Sequence, residues 1–171
     1  MVVLPKKDGK VRICVDLKPL NSSVKRETHP LPKVDDTLAQ LSGAKTFSKL
    51  DANSGFWQIP LAKQSRHLTT FITPFGRFCF NKMPFRISSA PEHFQCWMNK
   101  VLSGLPGVLC LIDDILVYGS NTQEHNERLE AVLNRIQSAG ITLNHVNLVK
   151  KRSNFLVTWL ILKAFLLIHK R

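Results

Sequence analysis

Asp113 and Asp114 stand side by side between two apolar runs, Leu109-Cys110-Leu111-Ile112 and Ile115-Leu116-Val117-Tyr118. Burying paired charge is costly unless something compensates it, so the pair predicts a tight hairpin tip that holds a cation. Neighbouring residues on an extended chain point to opposite faces, so only one of the two can aim straight at a metal unless the turn re-aims the other. A further acid must come from elsewhere in the chain. Asp51 is the candidate, because it ends the run Thr46-Phe47-Ser48-Lys49-Leu50 and is followed by turn-prone Asn53-Ser54-Gly55. Asp51, Asp113 and Asp114 together would make a divalent-metal site of the kind that drives phosphoryl transfer. On local sequence alone, the same residues serve as well for turn caps.

Several elements must position these acids. Asp8-Gly9, between Pro5-Lys6-Lys7 and Val11-Arg12-Ile13-Cys14-Val15, is a hairpin signal. Val34, Leu38 and Leu41 have helical spacing, with Asp35 and Asp36 in the first turn and Gly43 beyond the end. Ser89-Ala90-Pro91-Glu92 reads as a capping box that opens a helix running to Gly104, with Phe94, Trp97, Met98, Val101 and Leu102 as its apolar stripe. Another helix follows Asn121-Thr122-Gln123-Glu124 and stops at Gly140, with Leu129, Val132, Leu133 and Ile136 on one face. Short strands are expected over 47–51, 58–61, 67–72 and 78–80 and in the acidic hairpin. The expected fold class is α+β: an antiparallel sheet with helices packed on one face.

The 171 residues suffice for one domain with a core, or for two small subdomains sharing one. Lys and Arg number 24 against 12 Asp and Glu, a net charge of +12 that favours a polyanionic partner. Seven basic residues and no acidic one lie between Ala131 and Arg171. A solvated basic face accounts for that tail as readily as a binding role. Cys14, Cys79, Cys96 and Cys110 never form a C-x-x-C pair and fit buried thiols in a reducing compartment. No secretory signal is visible, and the apolar run from Phe155 to Ile168 contains Lys163 and is short for a membrane span, so no membrane role is expected. The six histidines show no ligand spacing.

Denser than any of these signals is a series of blocks. Val2 to Leu17 with Leu20-Asn21, Pro30-Leu31-Pro32, Leu41-Ser42-Gly43-Ala44-Lys45, Phe47 to Asp51, Gly55-Phe56-Trp57-Gln58-Ile59, Met83-Pro84-Phe85, Ser89-Ala90-Pro91, Phe94-Gln95 and Ile112-Asp113-Asp114-Ile115 follow one another in order. Together they resemble the reverse transcriptase of gypsy-type LTR retrotransposon polyproteins. The resemblance implies a polymerase palm with an antiparallel sheet and a partial fingers hairpin. Its divisions here are partial fingers over 1–45, palm over 46–144 and an aberrant tail over 145–171. It further implies an RNA-directed DNA polymerase that adds deoxynucleotides to a primer by two-metal phosphoryl transfer. Two Mg2+ ions, with Mn2+ as a possible substitute, would be held by Asp51 and Asp113 as principal ligands and Asp114 as the supporting acid. Lys6 and Arg12 match the family's triphosphate-binding cations, and an Arg fork suits two phosphate oxygens at once. Phe56 matches the aromatic gate that excludes a 2′-hydroxyl, leaving Trp57 to the core. Phe85 matches the block lying against template and base pair. The implied partners are an RNA or DNA template with its primer and deoxynucleoside triphosphates, and the implied location is intracellular, in a cytoplasmic retroelement particle or the nucleus. Group-II-intron and telomerase-like polymerases share the acidic hairpin but lack the Leu-Ser-Gly-Ala-Lys and Pro-Leu-Pro blocks.

Three departures bear on activity. Arg86 stands where the family has glycine after Met-Pro-Phe, which puts a long cation at a point of close approach to the nucleotide. Leu111 replaces the usual tyrosine before the acidic pair. After Ile141-Thr142-Leu143-Asn144 the expected Lys-Cys-Glu-Phe and Phe-Leu-Gly-His block is missing. Asn154-Phe155-Leu156-Val157-Thr158-Trp159 can be encoded by bases that spell Phe-Leu-Gly-His-Leu in another frame, so an out-of-frame deletion after Asn144 is expected. The resemblance further implies thumb, connection and ribonuclease H portions, for which 171 residues are expected to leave no room. An impaired polymerase fragment is therefore expected. The alternative is a catalytically dead remnant that only binds nucleic acid.

Overall fold

Thr46–Ala52 is rich in residues that suit a pleated, doubly covered surface, and five of its seven side chains are buried. It forms the inner strand β3 of a four-stranded sheet. In the computed structural model, which describes residues 2–5, 11–25, 39–52 and 55–149, the strand order is β6-β7-β3-β8 and every pairing is antiparallel. Here β6 is Val108–Leu111, β7 is Asp114–Gly119 and β8 is Leu143–Val149. Two further antiparallel pairs stand apart: β1 (Val2–Pro5) with β2 (Val11–Cys14), and β4 (Phe71–Thr73) with β5 (Gly76–Phe78). The helices are the short α1 (Lys18–Asn21), α2 (Ala90–Val101) and α3 (Thr122–Ser138). The fold is α+β, as expected.

Strand alternation decides what each face of the sheet carries. Phe47, Lys49 and Asp51 on β3 pair with Tyr118, Leu116 and Asp114 on β7, and Leu109 and Leu111 on β6 pair with Leu116 and Asp114. Phe47, Leu109, Leu111 and Leu116 close a buried apolar cluster with Leu41 and Ala44, and Tyr118 packs against it. One face is therefore apolar along most of its length and charged at one end. The other face carries Leu50, Ile115 and Val117, all fully buried. Helix α3 packs against β7 and β3. Its N-terminus is set by Asn121, whose side chain accepts the Glu124 backbone N–H at 2.9 Å.

The chain divides into two compact units, Met1–Thr28 with Gly55–His93 and His29–Ser54 with Phe94–Arg171. The sheet of β6, β7, β3 and β8 belongs wholly to the second. This grouping places 55–93 with the N-terminal residues. Strand β8 runs five residues past Asn144.

Several expectations are corrected. Residues 58–61 are not a strand: Gly55–Gln58 is a 3-10 turn, and Pro60 makes only an isolated bridge to Lys82. Lys63–Thr69 is also 3-10, so the strand expected at 67–72 begins only at Phe71. Thr69 and Thr70 turn their hydroxyls onto the Arg66 and His67 carbonyls, a local bond that competes with a sheet ladder. Cys79 is exposed and Cys96 half-buried, so of these three thiols only Cys110 is a buried one. The helix expected over 34–41 and the apolar run 155–168 lie largely or wholly outside the described residues. Among the described residues, no helix is long and apolar enough to cross a membrane.

Candidate active site

The acidic hairpin is a two-residue loop. Leu111 pairs with Asp114, which leaves Ile112 and Asp113 at the tip. Ile112 has φ +54, the positive value that a primed hairpin turn requires at its first central position. A β-branched residue is strained there. Both peptides of the tip are tied down. The Asp113 carbonyl accepts the Ala52 N–H at 2.9 Å, and the Ile112 N–H donates to Gln95 Oε1 at 2.7 Å.

Asp51 and Asp114 are directly paired across β3 and β7. Residues so opposed have Cα atoms about 5 Å apart and side chains on one face. The fold thus brings Asp51 to the acidic hairpin at the charged end of the cluster-bearing face. Asp114 is buried and its Oδ2 lies 3.1 Å from Lys49 Nζ. Lys49 is two residues before Asp51 and so shares its face. Asn144 Nδ2 donates to Asp51 Oδ2 at 3.4 Å. The backbone of His145 lies opposite Asp51 on the other neighbouring strand.

Three carboxylates supply the hard, all-oxygen donor set that suits Mg2+ or Mn2+. On that chemistry the residues fit a divalent ion. Among the described residues, no three His, Cys, Asp or Glu side chains are gathered closely enough to hold one. The Asp114 carboxylate is engaged by Lys49 on the neighbouring strand.

The other sequence-chosen residues belong to the first unit. Arg12 is on β2 with its backbone opposite Leu4, while Lys6 lies outside the described residues. Phe56 is half-buried and meets Phe85 edge-on, with ring centroids 5.3 Å apart and planes at 70°. Phe85 is 43% exposed. Trp57, expected in the core, is 51% exposed and leans on Phe85 at 5.5 Å. Successive residues of a 3-10 turn point about 120° apart, so Phe56 and Trp57 cannot both face inward. Arg86 has φ +76 and is exposed. Its carbonyl accepts Asn21 Nδ2 at 2.8 Å, and Asn21 Oδ1 accepts the Ser88 N–H at 2.9 Å.

Lys49 was not singled out from sequence, and Gln95 entered only as part of the Phe94-Gln95 block. Lys49 was findable from its spacing to Asp51, and Gln95 as a lone amide beside the apolar residues Phe94, Trp97 and Met98.

The model of the reverse transcriptase (RNA-dependent DNA polymerase) family matches residues 4–155, which continues eleven residues past Asn144. The Transposon Tf2-3 polyprotein of Schizosaccharomyces pombe is 37% identical over 146 residues, covering 84% of this chain and 11% of the polyprotein. The Tf2-7 polyprotein of the same organism is 36% identical over the same length. The chain thus spans about a tenth of the curated relatives it matches. Among solved structures, the native prototype foamy virus protease-reverse transcriptase superposes with TM-score 0.78 at 25% identity, over 89% of this chain and 21% of that one. The foamy viral protease-reverse transcriptase dRH in complex with double-stranded DNA gives 0.79 at 26% identity, over 90% and 28%. With the acidic hairpin opposed to Asp51 and a family match over most of its length, the chain belongs to the reverse transcriptase family of RNA-dependent DNA polymerases.

Proposed function

We propose that the chain is the palm and partial fingers of a gypsy-type retrotransposon RNA-directed DNA polymerase, extending a primer on an RNA or DNA template. The observation that carries this reading is the pairing of Asp51 with Asp114 across β3 and β7, beside a hairpin tip that bears Asp113. Asp51 and Asp113 would hold two Mg2+ ions, with Asp114 in support. Bound there, the metal supplies Lewis-acid stabilisation of the primer oxygen and the departing pyrophosphate. The protein's own contribution is to hold the carboxylates at fixed register on a rigid sheet and to offer Lys49 as a counter-charge beside them. Lys6 and Arg12 would meet the triphosphate, Phe56 would test the sugar and Phe85 would lie against the template. A relative in complex with double-stranded DNA supports a nucleic-acid partner.

A second reading, a remnant that binds nucleic acid without chemistry, draws on Arg86, which holds a glycine-favouring conformation at a position where the family has glycine. Primer extension with Mg2+ or Mn2+ separates the two. Extension that falls at least a hundredfold, about 2.7 kcal/mol, in Asp113→Asn supports the polymerase. Template-primer binding without extension in the unsubstituted chain supports the remnant.

A further inference from the structure

Gln95 is fully buried on α2, next to the fully buried Phe94 and three residues before fully buried Met98. A primary amide in such a setting is tolerated only when its polar atoms are paired. Its Oε1 accepts the Ile112 N–H at 2.7 Å, and its Nε2 donates to the Cys110 carbonyl at 2.8 Å and to Asn99 Oδ1 at 2.9 Å. The amide thus bridges the end of β6 and the first residue of the acidic tip. That residue is the strained one, a β-branched isoleucine at φ +54. Such a conformation persists only where its surroundings over-determine it.

We propose that Gln95 is a positioning residue that holds Ile112 in its left-handed conformation and so fixes the direction in which Asp113 leaves the hairpin. The inference rests on the metal reading of Asp113 given above. A merely structural Gln95 would fill space between α2 and β6, and its loss would cost stability whatever stands at 112. A positioning Gln95 works through the strain at 112, so removing the strain must make it dispensable.

The experiment uses the full chain and Mn2+ alone as the probe, with binding read by electron paramagnetic resonance and folding by urea denaturation. Asp113→Asn must weaken Mn2+ binding in the unsubstituted background; if it does not, the metal reading itself has failed. Gln95→Met is expected to weaken Mn2+ binding at least fivefold. Adding Ile112→Gly to Gln95→Met is expected to recover at least threefold of that loss, because glycine adopts positive φ without support. Unchanged binding in Gln95→Met, or a double variant as weak as the single one, overturns the proposal. Amide hydrogen exchange in the unsubstituted chain gives a check independent of metal and of any variant's folding. The Ile112 N–H must exchange as slowly as the amides of β6, and fast exchange at this turn tip overturns the clamp.

Discussion

Replacing Arg86 by glycine should stabilise the protein, and the size of the gain follows from one torsion. Arg86 sits at φ +76, where an L-residue with a Cβ carries about 1–2 kcal/mol of strain. Glycine abolishes that strain but gives the unfolded chain more freedom, returning about 0.5–1 kcal/mol. The Arg86 side chain is exposed, so little packing is lost. The bonds that pin the segment run from Asn21 to the Arg86 carbonyl and the Ser88 N–H, main-chain groups that glycine keeps. The expected net gain is about 0.5–1 kcal/mol, a rise in Tm of about 1–4 °C for a chain of this size. Thermal and urea denaturation of the parent, Arg86→Gly and Arg86→Ala provide the assay. Alanine retains the Cβ, so it should leave stability within about 0.5 kcal/mol of the parent. A glycine variant no more stable than the alanine variant would refute the reasoning, because backbone strain would then not be what residue 86 contributes.

Two further perturbations test the second unit. Gly107→Ala would place a Cβ against Arg128 Cδ and 2.6 Å from the Tyr118 carbonyl oxygen, at φ +67, and should cost about 2 kcal/mol or more in urea denaturation. Glu124 accepts hydrogen bonds from Ser120 and faces Arg128, and these hold its carboxyl below the usual carboxylate range despite its exposure. A depressed folded-state value means a contribution present above the ordinary glutamate range and lost as pH falls through it. The stability difference between the parent and Glu124→Gln should therefore hold from neutral pH down to the ordinary glutamate range and shrink only as pH falls from there through the depressed folded-state value, and a difference that grows over that window would count against this hydrogen-bonded cap.

The parts of the fold written in local chemistry were legible. Asp-Gly marked the β1–β2 hairpin, Asn121 and Gly140 bracketed α3, and two acids between apolar runs marked the β6–β7 tip. Asp51 was chosen as the third acid from its own run and the turn behind it, and the strand register does bring it opposite Asp114. What sequence could not show were bonds between distant residues. The Gln95 amide reaches Cys110 and Ile112 across fifteen and seventeen positions, a relation no periodicity encodes. Lys49 looked like one more polar residue in a strand until the opposing strand supplied Asp114. Trp57 was misplaced because aromatic composition argues for burial, whereas its ring leans on Phe85, itself partly exposed, and so stays half in solvent.

Strand β8 closes one edge of the sheet with residues that lie inside the family match. The rungs that bind it to β3 are amide and carbonyl groups, the same whichever codons specify the chain. An edge held by main-chain rungs therefore tolerates changes of side chain along its length and still leaves the central strand flanked on both sides, so that Asp51 keeps its seat when the letters beside it change.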